Sequence, residues 1–161
     1  YSEEFKMKKK IAIETIAAEL ETFRSHDIDE TILEKIRETD LGDVNTRMGI
    51  TINDLHVLSA VPQDGSAKIA EIVDSVPLTQ GAVSKVLSKL TTKGLVSKFH
   101  QPNNKKDTFV QLTTAGEKVN QLHHEYHQAE AVKLEKLVAG YSKGELETIA
   151  SFLVAINKIR Q

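Results

Sequence analysis

The chain has 161 residues, 40% of them hydrophobic and 27% charged, which is the composition of a protein with one ordinary globular core. It contains no cysteine, and this excludes disulfides, thiolate metal ligands and cysteine nucleophiles. Its formal net charge at pH 7 is only −2, and no apolar run is long enough to predict a membrane span or a secretory signal, so we expect a cytoplasmic protein.

The N-terminal part of the chain predicts two helices and a connection. Hydrophobic residues recur at helical spacing over about residues 2–25, which predicts one long amphipathic helix. Asp29 is the predicted N-cap of a shorter second helix. Residues 39–50 are polar and rich in turn-forming residues, so we expect a connecting loop there. The apolar stripe of the first helix consists of Ile13, Ile16, Leu20 and Phe23.

The pattern from Thr51 onward predicts three successive helices separated by turns. Thr51 and Asp54 form a variant capping box at the start of the first of them. Ser66 is the predicted N-cap of the second, a short helix, and Thr79 is that of the third, which ends at Gly94. A helix, a short helix and a longer helix in this order are typical of a helix-turn-helix.

A β-hairpin is predicted directly after the third helix. Residues 95–100 and 108–112 favour strands, and the polar residues 101–106 between them favour a turn. Lys105 and Lys106 belong to this turn, so the hairpin is expected to have a basic tip.

The C-terminal residues predict two more helices, which begin with capping boxes at Thr114 with Glu117 and at Ser142 with Glu145. The last helix, like the first of the chain, has an apolar stripe but no core of its own to fill. We therefore expect the two terminal arms to pair in a two-fold homodimer. The predicted dimerisation residues are Ile13, Ile16, Leu20, Leu146, Ile149, Leu153 and Ile156.

Charge is distributed unevenly along the chain. Residues 1–78 carry nine Lys or Arg and sixteen Asp or Glu, a net charge of −7, whereas residues 79–106 carry six Lys and no acid. Residues 107–161 are nearly balanced, with six basic and seven acidic side chains. A local excess of positive charge attracts a phosphate backbone whatever the average of the chain. Taken alone, the acid-free window fits a solvated lysine face equally well.

The acid-free window falls on the third helix and the hairpin, and this combination predicts a winged helix-turn-helix that binds DNA. Small hydrogen-bonding groups and lysines opposite the apolar stripe of the helix suit the base edges of a major groove. The free N–H groups at the helix start favour a phosphate, and the hairpin lysines reach a neighbouring groove or backbone. The predicted DNA-binding residues are Thr79, Gln80, Gly81, Ser84, Lys85, Ser88, Lys89, Lys105 and Lys106.

Several short motifs together resemble the MarR family of transcriptional regulators. They cover about residues 50–120, and the predicted helices on either side resemble the dimerisation arms of that family. The resemblance implies a triangular homodimer that binds a palindromic operator. It also implies release by a small ligand bound between the arms and the winged core. The motifs are LHVL at 55–58, KIA at 68–70, QGAVSKVL at 80–87, KGLV at 93–96 and LTTAG at 112–116.

The expected fold class is mainly α with a small β-hairpin wing, a winged helix-turn-helix flanked by N- and C-terminal dimerisation helices. Residues 1–50 are the expected N-terminal helical arm, residues 51–113 the DNA-binding domain and residues 114–161 the C-terminal dimerisation helices, all within one continuous fold. A repressor is expected, although an activator stays open, and no residue identifies the effector.

The wing departs from the family at two positions. Family members carry an Asp-x-Arg pair there, with the arginine in the minor groove, and the matching residues of this chain are Asn104 and Lys106. A lysine contacts a phosphate but lacks the planar fork of arginine. We therefore expect weaker or less sequence-selective recognition by the wing.

Three histidines lie close together at positions 123, 124 and 127. His123 and His127 are four residues apart on one helical face, a spacing that metal ligands use, and zinc-responsive members of the family use histidines on this helix. Without a further ligand cluster, a surface or interface role is favoured, so no cofactor is predicted and the two are kept as candidate metal ligands. His26 and His56 are interpreted as structural.

The sequence favours DNA binding over other classes of function. The sequence has no phosphate-binding glycine loop, nucleophile elbow or convincing carboxylate pair, so an enzyme is not expected. A helical adaptor that binds an acidic protein through its lysine face would ignore DNA sequence, whereas a regulator prefers one operator and loses affinity steeply with salt. The expected partners are operator DNA, a second copy of the chain and a small-molecule effector, and no membrane.

Overall fold

The computed structural model describes residues 2–25 and 28–159, so His26 lies outside the described residues. None of the helices within these ranges is long and apolar enough to cross a membrane. In chain order the elements are α1 (Ser2–Ser25), α2 (Ile28–Glu38), α3 (Val44–Arg47), α4 (Ile52–Ser59), β1 (Ala67–Lys68), α5 (Ile69–Ser75), α6 (Gln80–Thr92), β2 (Val96–Gln101), β3 (Asn104–Leu112), α7 (Thr114–Val138) and α8 (Lys143–Ile159).

The three strands form one antiparallel sheet in the order β1–β3–β2. β2 and β3 are the predicted hairpin, with Val96 opposite Leu112 at its base. β1 pairs with the other edge of β3 and places Lys68 opposite Phe109. The fold class predicted from the sequence, mainly α with a small wing, is confirmed.

One hydrophobic core joins the helix-turn-helix, the sheet and the start of α7. Leu55 of α4, Leu87 of α6 and Val110 of β3 have no exposed surface, and α2 contributes Ile32 and Ile36 from the other side. Each such side chain contributes about 1.5–3 kcal/mol of hydrophobic free energy. No described residue of α1 or α8 belongs to this core. The winged helix is therefore packed within a single chain, and the terminal helices are not.

The starts of α4 and α6 agree with the prediction, because each cap is formed by residues that are close together in the sequence. The Thr51 N–H donates to the Asp54 carboxylate at 2.8 Å, and the Asp54 N–H donates to the Thr51 hydroxyl at 3.3 Å. The Thr79 hydroxyl accepts the N–H of Ala82 at the start of α6. Gly94 follows the end of that helix with a φ of +71°, a conformation that glycine adopts without strain. The capping box at Thr51 and the cap at Thr79 are confirmed.

Two predicted N-caps are wrong because tertiary contacts move the helix starts. Ser66 does not cap α5, since β1 intervenes and Lys68 takes the N-cap position. Thr113 rather than Thr114 caps α7, and its hydroxyl accepts the Gly116 N–H at 3.1 Å. β3 ends at Leu112, so Thr113 rather than Thr114 takes the N-cap position of α7. The end of the strand depends on pairing with distant residues, which the local sequence does not show.

The region before α4 also differs from the prediction. Residues 39–50 contain the short helix α3, whose N-cap Asp43 accepts the N–H of Asn45 at 2.9 Å. Four helical residues are too few to show a hydrophobic period, which explains why the sequence predicted a loop. α2 begins at Ile28, so Asp29 lies within its first turn rather than at the N-cap.

Gly116 lies where α7 packs against the turn that leads into the hairpin. The Leu95 carbonyl accepts the N–H of Thr113, and the Gly94 carbonyl accepts its hydroxyl at 2.6 Å. A Cβ at position 116 would overlap the Leu95 carbonyl oxygen and lie 3.0 Å from its carbon. Because these are backbone atoms held by hydrogen bonds, they cannot move aside without disturbing the junction of the hairpin and α7.

We expect Gly116→Ala to lower the free energy of unfolding by about 3 kcal/mol, because overpacking against a backbone carbonyl has no flexible side chain to absorb it. Urea unfolding followed by circular dichroism measures the change. Gly144→Ala is the matched control, since nothing lies within 4 Å of a Cβ there. This variant should unfold at the same or a slightly higher urea concentration, as alanine favours a helix by up to about 1 kcal/mol over glycine. Equal stability of the two variants would contradict the expectation.

Candidate nucleic-acid interface

α6 separates a buried face from an exposed polar face. Val83, Leu87 and Leu90 are fully buried and fix the helix on the core. The opposite face has small polar groups, one lysine and no acid. The predicted residues that the structure places on this exposed face and at its N-terminal end are Thr79, Gln80, Gly81, Ser84, Lys85 and Ser88.

The N-terminus of α6 is open to solvent. The Thr79 side chain satisfies the N–H of Ala82, while Gln80 and Gly81 occupy the first turn, where N–H groups have no intrahelical acceptor. Nothing lies within 4 Å of a Cβ at Gly81, so packing does not require the glycine. The absence of a side chain there lets another molecule approach the backbone closely, and the helix dipole favours an anion.

Lys89, a predicted DNA contact, lies half-buried on the flank of α6 rather than on its exposed face. Its ammonium group forms an ion pair with Asp54, whose carboxylate is only 2% exposed. The same carboxylate oxygen also accepts the N–H of Thr51. A buried carboxylate needs a counter-charge, and Lys89 supplies it from the flank of α6 that faces α4.

Two other lysines of the acid-free window are also engaged within the fold. Lys93 donates to the backbone carbonyls of Asn45, at 2.8 Å, and of Met48, so it ties the end of α6 to the α3 segment. Lys98 of β2 donates to the hydroxyl of Ser88 at 3.3 Å. This contact links the hairpin to the exposed face of α6.

Lys85, Lys105 and Lys106 form no ion pair within residues 2–25 and 28–159. Lys105 and Lys106 were predicted at the hairpin turn, and this is wrong because both belong to β3. Both side chains are exposed. The interface therefore has one free lysine on the helix and two along the wing.

The sequence did not predict a cluster at the base of this lysine pair. The Asp107 carboxylate accepts from Asn104 Nδ2 at 2.8 Å and lies 3.0 Å from Lys68 Nζ. The hydrogen bond from Asn104 and the ion pair with Lys68 hold the pKa of Asp107 below its ordinary value. The only local signal was that Asp107 ends the acid-free window, while Lys68 lies far away in the sequence.

The predicted dimerisation residues lie on faces that the chain itself leaves uncovered. Ile13 and Leu153 are 57% and 47% exposed, and Ile16 and Ile149 are exposed as well. Side chains of α1 and α8 line a groove of about 1010 Å³, to which α7 adds Leu134. The sequence missed Leu134 and Phe152 as groove residues. The partly buried members of the predicted set are Leu20, Leu146 and Ile156.

His123 and His127 lie together at a polar cavity of about 620 Å³ between α4 and α7. Their Nε2 atoms are 2.8 Å apart, and Nδ1 of the buried His123 is 2.8 Å from the Ser59 hydroxyl. Within the described ranges, no group of three or more His, Asp or Glu side chains is arranged to hold a metal ion. His56 is exposed, so it takes no part in the core.

Comparison with known proteins supports a DNA-binding domain at this position. Residues 50–116 match the family described as winged helix DNA-binding domain. The uncharacterized HTH-type transcriptional regulator YhjH of Bacillus subtilis is 26% identical over 113 residues, which are 70% of this chain and 64% of YhjH. HTH-type transcriptional regulator PchR of the same organism is 22% identical over 116 residues, 72% of this chain and 66% of PchR. The chain thus spans slightly less than two thirds of these relatives.

Solved structures share the fold along almost the whole chain. The zinc-responsive MarR family member ZitR of Lactococcus lactis has a TM-score of 0.63 at 19% identity, covering 94% of this chain and 99% of ZitR. FabT of Streptococcus pneumoniae, solved in complex with DNA, has a TM-score of 0.63 at 18% identity, with 91% and 96% covered. Residues 50–116 therefore match a winged helix DNA-binding domain, and the described residues have the fold of the MarR family member ZitR.

Proposed function

We propose that the protein is a homodimeric transcriptional repressor that binds a palindromic operator through α6 and the wing. The observation that carries this proposal is the exposed face of α6, which has no acid, together with three lysines that form no ion pair among the described residues, Lys85, Lys105 and Lys106. The similarity to FabT, whose structure was solved with DNA, supports this choice of partner. A small ligand that binds between the arms and the winged core would release the operator by favouring a different spacing of the two recognition helices.

The proposed contacts divide by their chemistry. The N-terminus of α6 suits a phosphate, and Ser84 and Lys85 lie one turn further along, where a recognition helix meets base edges. Lys105 and Lys106 suit the backbone or the neighbouring minor groove. Lys89 is removed from the set, because contact with DNA would require it to leave the buried carboxylate of Asp54. The proposed set is Thr79, Gln80, Gly81, Ser84, Lys85, Ser88, Lys105 and Lys106.

We expect Lys85→Ala to weaken operator binding about tenfold or more, because each dimer loses two cationic contacts. The slope of log affinity against log salt should become shallower by roughly two. Fluorescence anisotropy with a duplex from the region upstream of the gene measures both quantities. Lys143→Ala is the matched control, since Lys143 is 91% exposed on α8, away from the proposed interface. Loss of the same affinity in both variants, or in neither, would argue against the proposed recognition surface.

The proposed dimer rests on the terminal helices. Ile13, Ile16, Ile149 and Leu153 are exposed, and neither α1 nor α8 contributes to the core among the described residues. Large contiguous apolar patches are uncommon on monomers and mark interaction sites. A second copy would cover the apolar faces of both arms and place two recognition helices on one side of the molecule, as a palindromic site requires.

We expect Leu153→Asp to convert the dimer to a monomer, because a carboxylate in the apolar groove would be buried without a partner. Sedimentation velocity measures the mass, and circular dichroism shows whether the winged core stays folded. Val44→Asp is the control, since Val44 is 55% exposed on α3 and outside the groove. A Leu153→Asp protein that sediments with the mass of the unchanged protein would exclude this groove as the dimer interface.

A divalent metal ion is a second candidate for the effector. The Nε2 atoms of His123 and His127 are 2.8 Å apart at the edge of the polar cavity, and the similar protein ZitR is described as zinc-responsive. Two imidazole ligands of a tetrahedral zinc ion lie about 3.4 Å apart, so a small rotation of either ring would admit the ion. This pair supplies two ligands, and a complete site needs further ligands from water or other groups.

Isothermal titration with ZnCl₂ tests this candidate. We expect the protein to bind zinc and His127→Ala to bind it at least tenfold more weakly, because a second imidazole ligand is lost. His56→Ala is the histidine control and should keep the affinity, because His56 is exposed on α4 and does not line the cavity. Zinc binding that is absent, or unchanged in His127→Ala, would remove the metal as a candidate and leave an organic effector.

A further inference from the structure

The two wing lysines lie in a stretch of β3 that the strand ladder does not hold. Phe99 pairs with Phe109 and Gln101 pairs with Asn104, and the register shifts between these pairs. Four residues of β3 therefore face a single residue of β2. Lys105 and Lys106 are two of the four, so backbone pairing with β2 does not determine where they lie.

Asp107 makes the contacts that hold this stretch. Its carboxylate accepts from Asn104 Nδ2 at 2.8 Å, and its N–H donates to Asn104 Oδ1 at 3.1 Å. Its carbonyl oxygen lies 2.9 Å from Nδ1 of His100, the single β2 residue opposite. Asp107 thus joins the two ends of the segment 104–107, which contains the two lysines.

Lys68 connects this loop to the helix-turn-helix. Its Nζ lies 3.0 Å from the Asp107 carboxylate, while its backbone pairs with Phe109 in the sheet. The Lys68 N–H also donates to the carboxylate of Glu71, in the first turn of α5. Because the Lys68 backbone is held by both the sheet and α5, its ion pair links Asp107 to the first turn of α5.

We propose that Asp107 is a positioning residue for DNA recognition, which acts through Asn104 and Lys68 to hold Lys105 and Lys106 at the angle that meets the operator. This proposal rests on the proposed DNA-binding function. The hydrogen bond from Asn104 and the ion pair with Lys68 favour the ionised form of the Asp107 carboxylate, so both contacts are present at neutral pH. Lys68 forms the ion pair with this carboxylate, and Lys106 adds only a weaker electrostatic contribution, so both wing lysines keep exposed side chains.

A positioning role of Asp107 and a simple charge effect predict opposite changes in operator affinity when the acid is removed. An acid next to two DNA-binding lysines repels phosphate, so its removal strengthens binding to every duplex when it acts only as a charge. If Asp107 positions the wing, its removal weakens binding to the operator and leaves or strengthens binding to unrelated DNA. The ratio of the two affinities therefore separates these roles.

The test measures the affinity of the full chain for the upstream operator duplex and for a scrambled duplex of equal length, at several salt concentrations. We expect Asp107→Asn to lower the operator-to-scrambled ratio at least fivefold. Lys68→Met should lower the ratio similarly, the double variant should be no worse than either alone, and Lys68→Arg should keep it. The charge control is Asp74→Asn, which removes an exposed acid from α5 and should leave the ratio unchanged.

Hydrogen exchange of the DNA-free protein adds a readout that does not depend on DNA. Exchange at the amides of residues 104–108 should accelerate in Asp107→Asn and not in Asp74→Asn. An Asp107→Asn protein that binds both duplexes more tightly by the same factor, with unchanged exchange, overturns the positioning role alone. A starting protein that does not distinguish the two duplexes overturns the proposed function, and the positioning role with it.

Discussion

The orientation of α6 depends on the buried carboxylate of Asp54. This group accepts the N–H of Thr51 at the start of α4 and the ammonium of Lys89 from α6. The Asp54 carboxylate is 2% exposed and the Lys89 side chain 36% exposed, so sliding α4 past α6 would leave a buried carboxylate without its counter-charge. Lys93 adds a second connection, from the end of α6 to the α3 segment. The contacts of Lys89 and Lys93 with the rest of the fold thus determine the direction in which the exposed face of α6 points.

The features that the sequence predicted depend on residues within about one helical turn. The helices over residues 80–92 and 114–138 follow from apolar spacing, and the caps at Thr51 and Thr79 follow from hydroxyl groups next to that spacing. The hairpin follows from two β-favouring stretches around Pro102. The exposure of the polar face of α6 could be predicted in the same way. The apolar stripe marks the side of the helix that packs on the core, and the opposite side is then exposed.

The features that the sequence missed depend on contacts between distant residues. Lys85 and Lys89 look alike in the sequence, and only the placement of Asp54, 35 positions before Lys89, shows that one is engaged and the other free. Lys68 belongs to a motif of the family resemblance, and its contact with Asp107 joins residues that are 39 positions apart in the sequence. A charge count locates the basic window correctly but cannot show which of its lysines are available.

The contact between His123 and His127 has a consequence for the direction of proton donation. The Nε2 atoms are 2.8 Å apart, which leaves room for one hydrogen between two neutral rings. If His123 donates this hydrogen, its Nδ1 accepts from the Ser59 hydroxyl, and if His127 donates it, Nδ1 of His123 donates to Ser59 instead. The two tautomers therefore require opposite directions of the Ser59 hydroxyl, which couples the proton position at His127 on α7 to the end of α4.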